Sequence, residues 1–302
     1  MSFLSSGVAV ITGAGSGIGR ALARELAAAG SALALADIDE AGLQQTAQSI
    51  EKDSAARTKE GRAPDAAAKN EPLITRHTVD VAQEESVRSL ADDVAGRHGR
   101  VTLLVNNAGV ALHGSFEEIS LDDFRWLVEI NFWGPVYGVK HFLPLLKREP
   151  RAHIVNLSSA FGIIAPPGQT AYSASKFAVR GFTEALRHEL EGSKIGVSCV
   201  HPGGIRTSIA QRARLGAAAS PARREESLAR FERLARTSPE TAAARILRGV
   251  ERGEPRILIG LDAHEVDFLQ RLRPATYWKL LGRKLKDASA ASRASTLKQP
   301  SR

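Results

Sequence analysis

A parallel, doubly wound α/β sheet in a single domain is the fold class this sequence predicts, and three observations lead there. Short apolar, β-rich runs alternate with longer helical patterns along the 302 residues. The runs are nearly continuous in apolar residues, as strands covered on both faces require. The first run leads directly into a glycine-rich turn and then an amphipathic helix.

Strands are expected at 8–12, 32–36, 74–79, 102–106, 153–158, 196–201 and 256–260, seven in all. Helices are expected at 17–29, 42–51, 84–98, 121–147, 172–191 and 239–252. Two segments break the rhythm. Residues 53–72 are rich in Ala, Lys, Asp and Glu with no convincing apolar face, which predicts a flexible surface insertion. Residues 208–238 are Arg- and Ala-rich and interrupted by Pro221, which predicts a partly helical, mobile substrate lid. Residues 1–260 thus form one unit. Beyond it, Phe268, Leu269, Leu272, Tyr277, Trp278, Leu281 and Leu285 recur at helical spacing across a break at Pro274, predicting a helical extension over 261–287. Residues 288–302 read as a disordered tail.

With 43% hydrophobic residues the chain can bury one sizeable core. The start, 1–6, lacks the basic opening and apolar run of a signal peptide, and no stretch approaches the roughly 20 apolar residues of a membrane span. The expectation is a soluble cytoplasmic protein. Cys199 is the only cysteine, which excludes disulfide scaffolds and cysteine metal sites and predicts a small buried hydrophobe. His113, His141 and His201 lack ligand spacing, so no metal is expected. The net charge of +8 raises nucleic acid and anionic membranes as partners. Its arginines crowd 206–256, with a second basic group at Arg271, Arg273, Lys279, Arg283, Lys284 and Lys286. Neither group contains a nucleic-acid module, so the charge reads as solvated surface.

The first chemical motif is Thr12-Gly13-Ala14-Gly15-Ser16-Gly17-Ile18-Gly19, between a strand and a helix. Glycines permit the tight turn, let backbone approach a pyrophosphate and let the helix pack closely, while the helix N-terminus favours negative charge. Asp37 ends the second strand, at the distance where a carboxylate accepts hydrogen bonds from the adenosine ribose and repels a 2′-phosphate. Neither the loop nor Ile38 supplies a cation, and Arg20, inside the helix, reads as solvated. NAD is therefore expected over NADP.

Tyr172 and Lys176 form the second motif. Spaced by four, they share one helix face, and an ammonium beside a phenol favours the phenolate over a side chain that ordinarily titrates near about 10. Such a pair alone also fits an ordinary exposed helix.

Taken together these residues resemble the classical short-chain dehydrogenase/reductase family, over about 8–260. The resemblance rests on the loop at 12–19, Asp80-Val81, Asn106-Asn107-Ala108-Gly109, Asn131, Ser159, Tyr172 with Lys176, and Pro202-Gly203 followed by Thr207. It implies a Rossmann-type fold, a nicotinamide cofactor, hydride transfer on alcohols or ketones, and commonly a homodimer or homotetramer. By resemblance, Asp80 and Val81 border the adenine, Asn107, Ala108 and Gly109 line the path to the nicotinamide, and Pro202, Gly203 and Ile205 to Thr207 meet its far end. Without the family, Asp80 reads as a strand-end cap and Asn106-Asn107 as a turn.

Alcohol oxidation needs a base, an oxyanion stabiliser and a proton exit. Tyr172 is the expected base, its pKa lowered by Lys176 and by an oxidised nicotinamide, whose ribose Lys176 also holds. Ser159 is expected to bond the substrate oxygen. Its neighbour Ser158 is excluded by the family's spacing and by strand alternation. Asn131 either binds a water that passes the proton from Lys176 to solvent or is a helix-interior amide bonded to a nearby carbonyl. Phe161, Ile163, Ile164, Pro166, Gln169, Gly204 and Ile209, with Trp133, are expected on the substrate side and suggest a hydrophobic or bulky secondary alcohol or ketone. Two alternatives stand beside this reading, an NADP-dependent carbonyl reductase and a non-catalytic NAD(H)-binding regulator. The basic extension either packs on the core or a subunit interface, or lies on an anionic membrane.

Overall fold

Alternating strands and helices build a seven-stranded sheet, with a separate two-stranded one, in the computed structural model, which describes residues 4–59 and 72–282. In chain order the elements are β1 (Val8–Thr12), α1 (Gly17–Ala28), β2 (Ala32–Asp37), α2 (Glu40–Lys59), β3 (Ile74–Thr78), α3 (Glu84–His98) and β4 (Leu103–Asn106). There follow β5 (Leu112–His113), α4 (Leu121–Val128), a π-helical turn (Glu129–Trp133), α5 (Gly134–Leu146), β6 (Ala152–Leu157) and α6 (Thr170–Glu189). The chain continues through β7 (Ile195–Pro202), β8 (Arg214–Leu215), α7 (Pro221–Leu234), α8 (Pro239–Glu251), β9 (Arg256–Ile259) and α9 (Leu261–Leu272).

Seven strands pair in parallel in the order β3-β2-β1-β4-β6-β7-β9. All seven are the expected ones, and the fold is the expected doubly wound, Rossmann-type sheet. The two-residue period of a strand explains why both faces are apolar. Ala9 and Ile11 join a core with Leu22 and Leu26 of α1 and Ile246 of α8, while Val10 between them joins Val94 of α3 and Phe142 of α5 on the opposite face. Each fully buried aliphatic side chain of this kind stabilises the fold by about 1.5–3 kcal/mol. Chain order reverses between β1 and β4, and a crevice opens at their carboxyl ends.

Several expectations need correction. Helix α2 runs on to Lys59, so the first residues of the expected insertion are helical, and Asp53 pairs with Arg24 of α1 at 2.7 Å. Ala55, Ala56, Arg57 and Lys59 are strong enough helix formers to extend the helix past its apolar face. The rest of that insertion, 60–71, lies outside the described residues. The single helix expected over 121–147 is broken by the π turn centred on Asn131. The 208–238 segment is partly helical as expected, through α7, and its first residues are tied to the body of the protein. β8 pairs with β5, His113 bonds the Ala210 carbonyl at 3.1 Å, and the Arg214 guanidinium lies 3.7 Å over the Trp126 ring while pairing with Asp123 at 3.3 Å.

The extension begins as α9 and resumes as a helix at 277–282. Leu269, Tyr277, Trp278 and Leu281 pack on Ile163 and Ile164 as the core-packing reading requires, but Phe268 and Leu272 are 63% and 60% exposed. They point away because the covering face of α9 carries Val266 and Leu269 instead. Leu285 and the 288–302 tail lie outside the described residues. Cys199 is buried as expected, its thiol pushed up to about 12 by burial. Among the described residues, no helix is long and apolar enough to cross a membrane.

Two core histidines give the fold an acid limit. His153 bonds Ser198 Oγ at 2.8 Å and His201 bonds the Ser159 carbonyl at 3.0 Å, and burial pushes each down to about 4. Between their ordinary value near 6.5 and about 4 only the unfolded chain takes up these protons. The stabilising contribution of each is therefore complete above about pH 6.5 and is lost as pH falls, by about 1.4 kcal/mol per pH unit. Urea unfolding at pH 7, 6 and 5 should show this decline, and His153→Gln should flatten it by about one proton.

Candidate active site

The crevice floor is set by a clamp between two strand ends. Thr12 Oγ1 accepts from the backbone N–H of Asn107 at 3.0 Å and of Ala108 at 3.1 Å. Asn107 Nδ2 in return donates to the carbonyls of Thr12 at 2.9 Å and Gly13 at 3.1 Å. Gly13 and Gly17 have φ of 67° and 52°, the left-handed region glycine adopts without strain. A Cβ on Gly19 would fall 2.1 Å from the Gly13 carbonyl oxygen. Ser16 precedes α1 in an extended conformation without capping it, so the first-turn N–H groups, those of Gly17, Ile18 and Gly19, have no side-chain cap facing the crevice. This donor set fits a dinucleotide pyrophosphate.

Asp37 lies one strand out. Its Oδ2 accepts from Gly15 N at 2.8 Å and its Oδ1 from Asp39 N at 3.0 Å, so the carboxylate is held at the crevice edge. Ile38 beside it is 68% exposed. Arg20 is not solvated as expected. It bonds the Gly15 carbonyl and crosses to Thr46 Oγ1 at 3.0 Å and Gln45 Oε1 at 3.2 Å, joining the loop to α2. Asp80 Oδ1 accepts from Ala82 N at 3.0 Å as a strand-end cap, and Val81 is buried against Gly134.

Just after β6, Ser159 is extended and its Oγ accepts from Phe161 N at 3.0 Å. Ser158 points elsewhere, donating to the Lys176 carbonyl at 2.8 Å. Lys176 is 4% exposed; its Nζ donates to the Leu157 carbonyl at 2.9 Å and lies 5.8 Å from the Tyr172 ring centre. The expected lowering of the Tyr172 pKa does not come from the chain itself. Burial raises it, with the Ser159 hydrogen bond opposing, and Lys176 is pushed down to about 8 by its own burial. An ammonium committed to a carbonyl and held beside the ring does little for the phenol oxygen.

Asn131 is bonded as the second expectation describes, a helix-interior amide on a nearby carbonyl. Its Oδ1 accepts from Val110 N at 2.8 Å, while Nδ2 donates to Val110 O at 3.0 Å and Ser175 Oγ at 3.3 Å. The amide therefore pins the segment after β4, which includes Gly109, to α6. A Cβ on Gly109 would stand 3.1 Å from Asn131 Oδ1 and 3.4 Å from Lys176 Nζ.

On the substrate side Phe161 meets Tyr172 edge to face at 6.2 Å, and Tyr172 borders an apolar cluster of Leu112, Leu127 and Ala171 with Val110 and Trp126. Ile163 and Ile164 turn away into the cluster with Leu281, because the extension buries them. Pro166 is buried, Gln169 and Ile209 are half-buried, and Trp133 stacks on Tyr137 at 5.7 Å, 39% exposed. Pro202 ends β7. Gly204 has room for no side chain beside the Leu234 carbonyl, Ile205 bridges to Thr237, and Thr207 lies against Gly17. Sequence reasoning missed the β5–β8 ladder, Arg214 and Asp262, none of which carries a local signal.

The fold and crevice define a dinucleotide-binding oxidoreductase. A family model described as short chain dehydrogenase matches residues 7–217, and the chain belongs to that family. It is similar to SadH of Mycobacterium tuberculosis, 42% identical over 285 residues that span 93% of this chain and 96% of that protein. Dehydrogenase/reductase SDR family member 7B of Xenopus tropicalis is 33% identical, over 95% and 90% of the two chains. Among solved structures, a short chain dehydrogenase/reductase from Burkholderia phymatum in complex with NAD matches with a TM-score of 0.76 and 32% identity, covering 90% of this chain and 95% of that one.

Removing the Asn131 amide leaves both Val110 backbone groups without their partner. Asn131→Ala should cost about 2–4 kcal/mol of stability, as read from chemical unfolding.

Proposed function

We propose that this protein is an NAD-dependent oxidoreductase that transfers a hydride between the nicotinamide and a hydrophobic or bulky secondary alcohol or ketone. The observation that carries the reading is the convergence at the carboxyl end of β6 of Ser159, its hydroxyl anchored by Phe161 N at 3.0 Å, with Tyr172, which meets Phe161 edge to face, and Lys176, whose Nζ lies 5.8 Å from the Tyr172 ring centre. An oxidised nicotinamide, when bound, accepts the hydride and supplies the positive charge that the buried phenol needs to ionise.

Tyr172 takes the substrate hydroxyl proton, and in the reverse direction returns it to the carbonyl oxygen. Ser159 holds that oxygen, donating to it while its own oxygen stays anchored by Phe161 N. Lys176, near 8, is able to exchange a proton close to neutral pH and lies where it meets the nicotinamide ribose. Asn131 keeps the Gly109–Val110 segment and α6 in register. Asp80, Val81, Asn107, Ala108 and Gly109 line the path from adenine to nicotinamide.

Two features support NAD. The Asp37 carboxylate is held in place by Gly15 and Asp39, and exposed Ile38 offers no cation for a 2′-phosphate. The apolar surroundings of Tyr172, with Phe161 across it, support an apolar substrate. In this reading residues 1–260 form the catalytic unit, the extension packs on it, and the protein works in the cytoplasm as a homodimer or homotetramer, the habit of its family.

The test follows NADH absorbance against a panel of apolar alcohols and ketones. Tyr172→Phe should lower kcat by about 10²–10⁴-fold while cofactor affinity survives. Full activity in that variant sinks the mechanism, and no turnover across the panel favours a non-catalytic regulator. Comparing kcat/KM for the two cofactors should favour NAD, and Asp37→Ala should narrow the difference; a wild-type preference for NADP overturns the cofactor assignment.

A further inference from the structure

The turn after β7 crosses the crevice from Pro202 toward Gly17 and is bonded along both sides. Gly203 N donates to the Ile259 carbonyl at 2.9 Å, Arg206 N to the Thr237 carbonyl at 2.9 Å, and Thr237 N to the Gly204 carbonyl at 3.2 Å. The Gly204 N–H has a different partner. It donates to Asp262 Oδ2 at 2.6 Å, a carboxylate sent back from the first turn of α9, 58 residues further along the chain.

Three glycines surround this contact. A Cβ on Gly203 would fall 2.2 Å from both Asp262 carboxylate oxygens, and one on Gly260 would fall 2.4 Å from Oδ1. Gly260 itself has φ of 90°, the conformation that swings α9 into place. Gly204 is closed off on its other side by the Leu234 carbonyl, 2.3 Å from a Cβ there. The turn therefore reserves its space for one carboxylate, and a charged acceptor on a backbone N–H makes a stronger, more directional bond than a neutral one.

We propose that Asp262 is a positioning residue for the nicotinamide half of the cofactor, fixing the Gly203-Gly204 turn and so coupling the C-terminal extension to hydride transfer. The proposal rests on the nicotinamide reading above. Its physical basis is that the turn is short and passes from the reacting end to the phosphate loop, so a displacement of about 1 Å there moves the ring relative to Tyr172 and can cost on the order of 10²-fold in rate.

The experiment uses the full-length protein and two ligands in calorimetric titration, NADH and ADP-ribose, which lacks the nicotinamide. Asp262→Ala should weaken NADH about tenfold and lower kcat, with ADP-ribose affinity unchanged. Asp262→Asn, whose carbonyl oxygen still accepts, should restore most of both. Equal loss of NADH and ADP-ribose affinity identifies a merely structural residue and overturns the proposal, as does no change in either. Should Asp262→Ala fail to fold, Gly203→Ala crowds the same carboxylate and is expected to give the same split; equal losses there overturn the proposal as well. A wild-type protein that binds ADP-ribose but gains nothing from the nicotinamide of NADH refutes the nicotinamide reading itself.

Discussion

The clamp between the carboxyl ends of β1 and β4 is the interaction on which the rest depends. Thr12 and Asn107 exchange side-chain and backbone hydrogen bonds across the point where strand order reverses. That exchange draws the glycine loop onto the sheet, where Gly13 and Gly19 approach too closely for a side chain. Helix α1 then starts with its uncapped end facing the crevice, and Asp37 takes Gly15 N–H from one strand further out. A single geometric junction thus sets the phosphate end and the ribose end of the proposed cofactor groove together.

The reacting end is organised by burial. Tyr172 sits in an apolar setting that raises its pKa, and Lys176 is buried enough to be pushed down to about 8. Both shifts disfavour charge, so the chain by itself keeps the phenol protonated, while Lys176, near 8, gives up its proton only a little above neutral pH. In the proposed reaction this places the source of phenolate stabilisation in the cofactor's own charge, and couples base strength to the presence of the group that receives the hydride. Ser159 is held by Phe161 N, and His201 behind it bonds its carbonyl, so the hydroxyl is aimed before any substrate arrives.

Around this centre the long 208–238 segment and the extension act as supports. The first is tied down by a short parallel ladder and by Arg214 between Trp126 and Asp123. The second covers Ile163 and Ile164, which consequently leave the substrate side, and sends Asp262 back to Gly204. Each tie joins residues distant along the chain, so periodicity and composition marked the two segments without naming the residues they bind.

By itself the sequence determined what local physics can encode. Continuous apolar runs located all seven strands and helical spacing located the main helices, though not the end of α2 or the π turn, and the glycine loop, Asp37, Ser159, Tyr172 and Lys176 stood out through residue type and spacing. Only the tertiary structure decided how Asn131, Arg20 and Asp262 are used, since their partners Val110, Thr46 and Gly204 come from other elements. It also decided the charge state of the Tyr172–Lys176 pair. Burial is a property of the packed core rather than of four-residue spacing, and here desolvation outweighs the attraction that the spacing alone suggests.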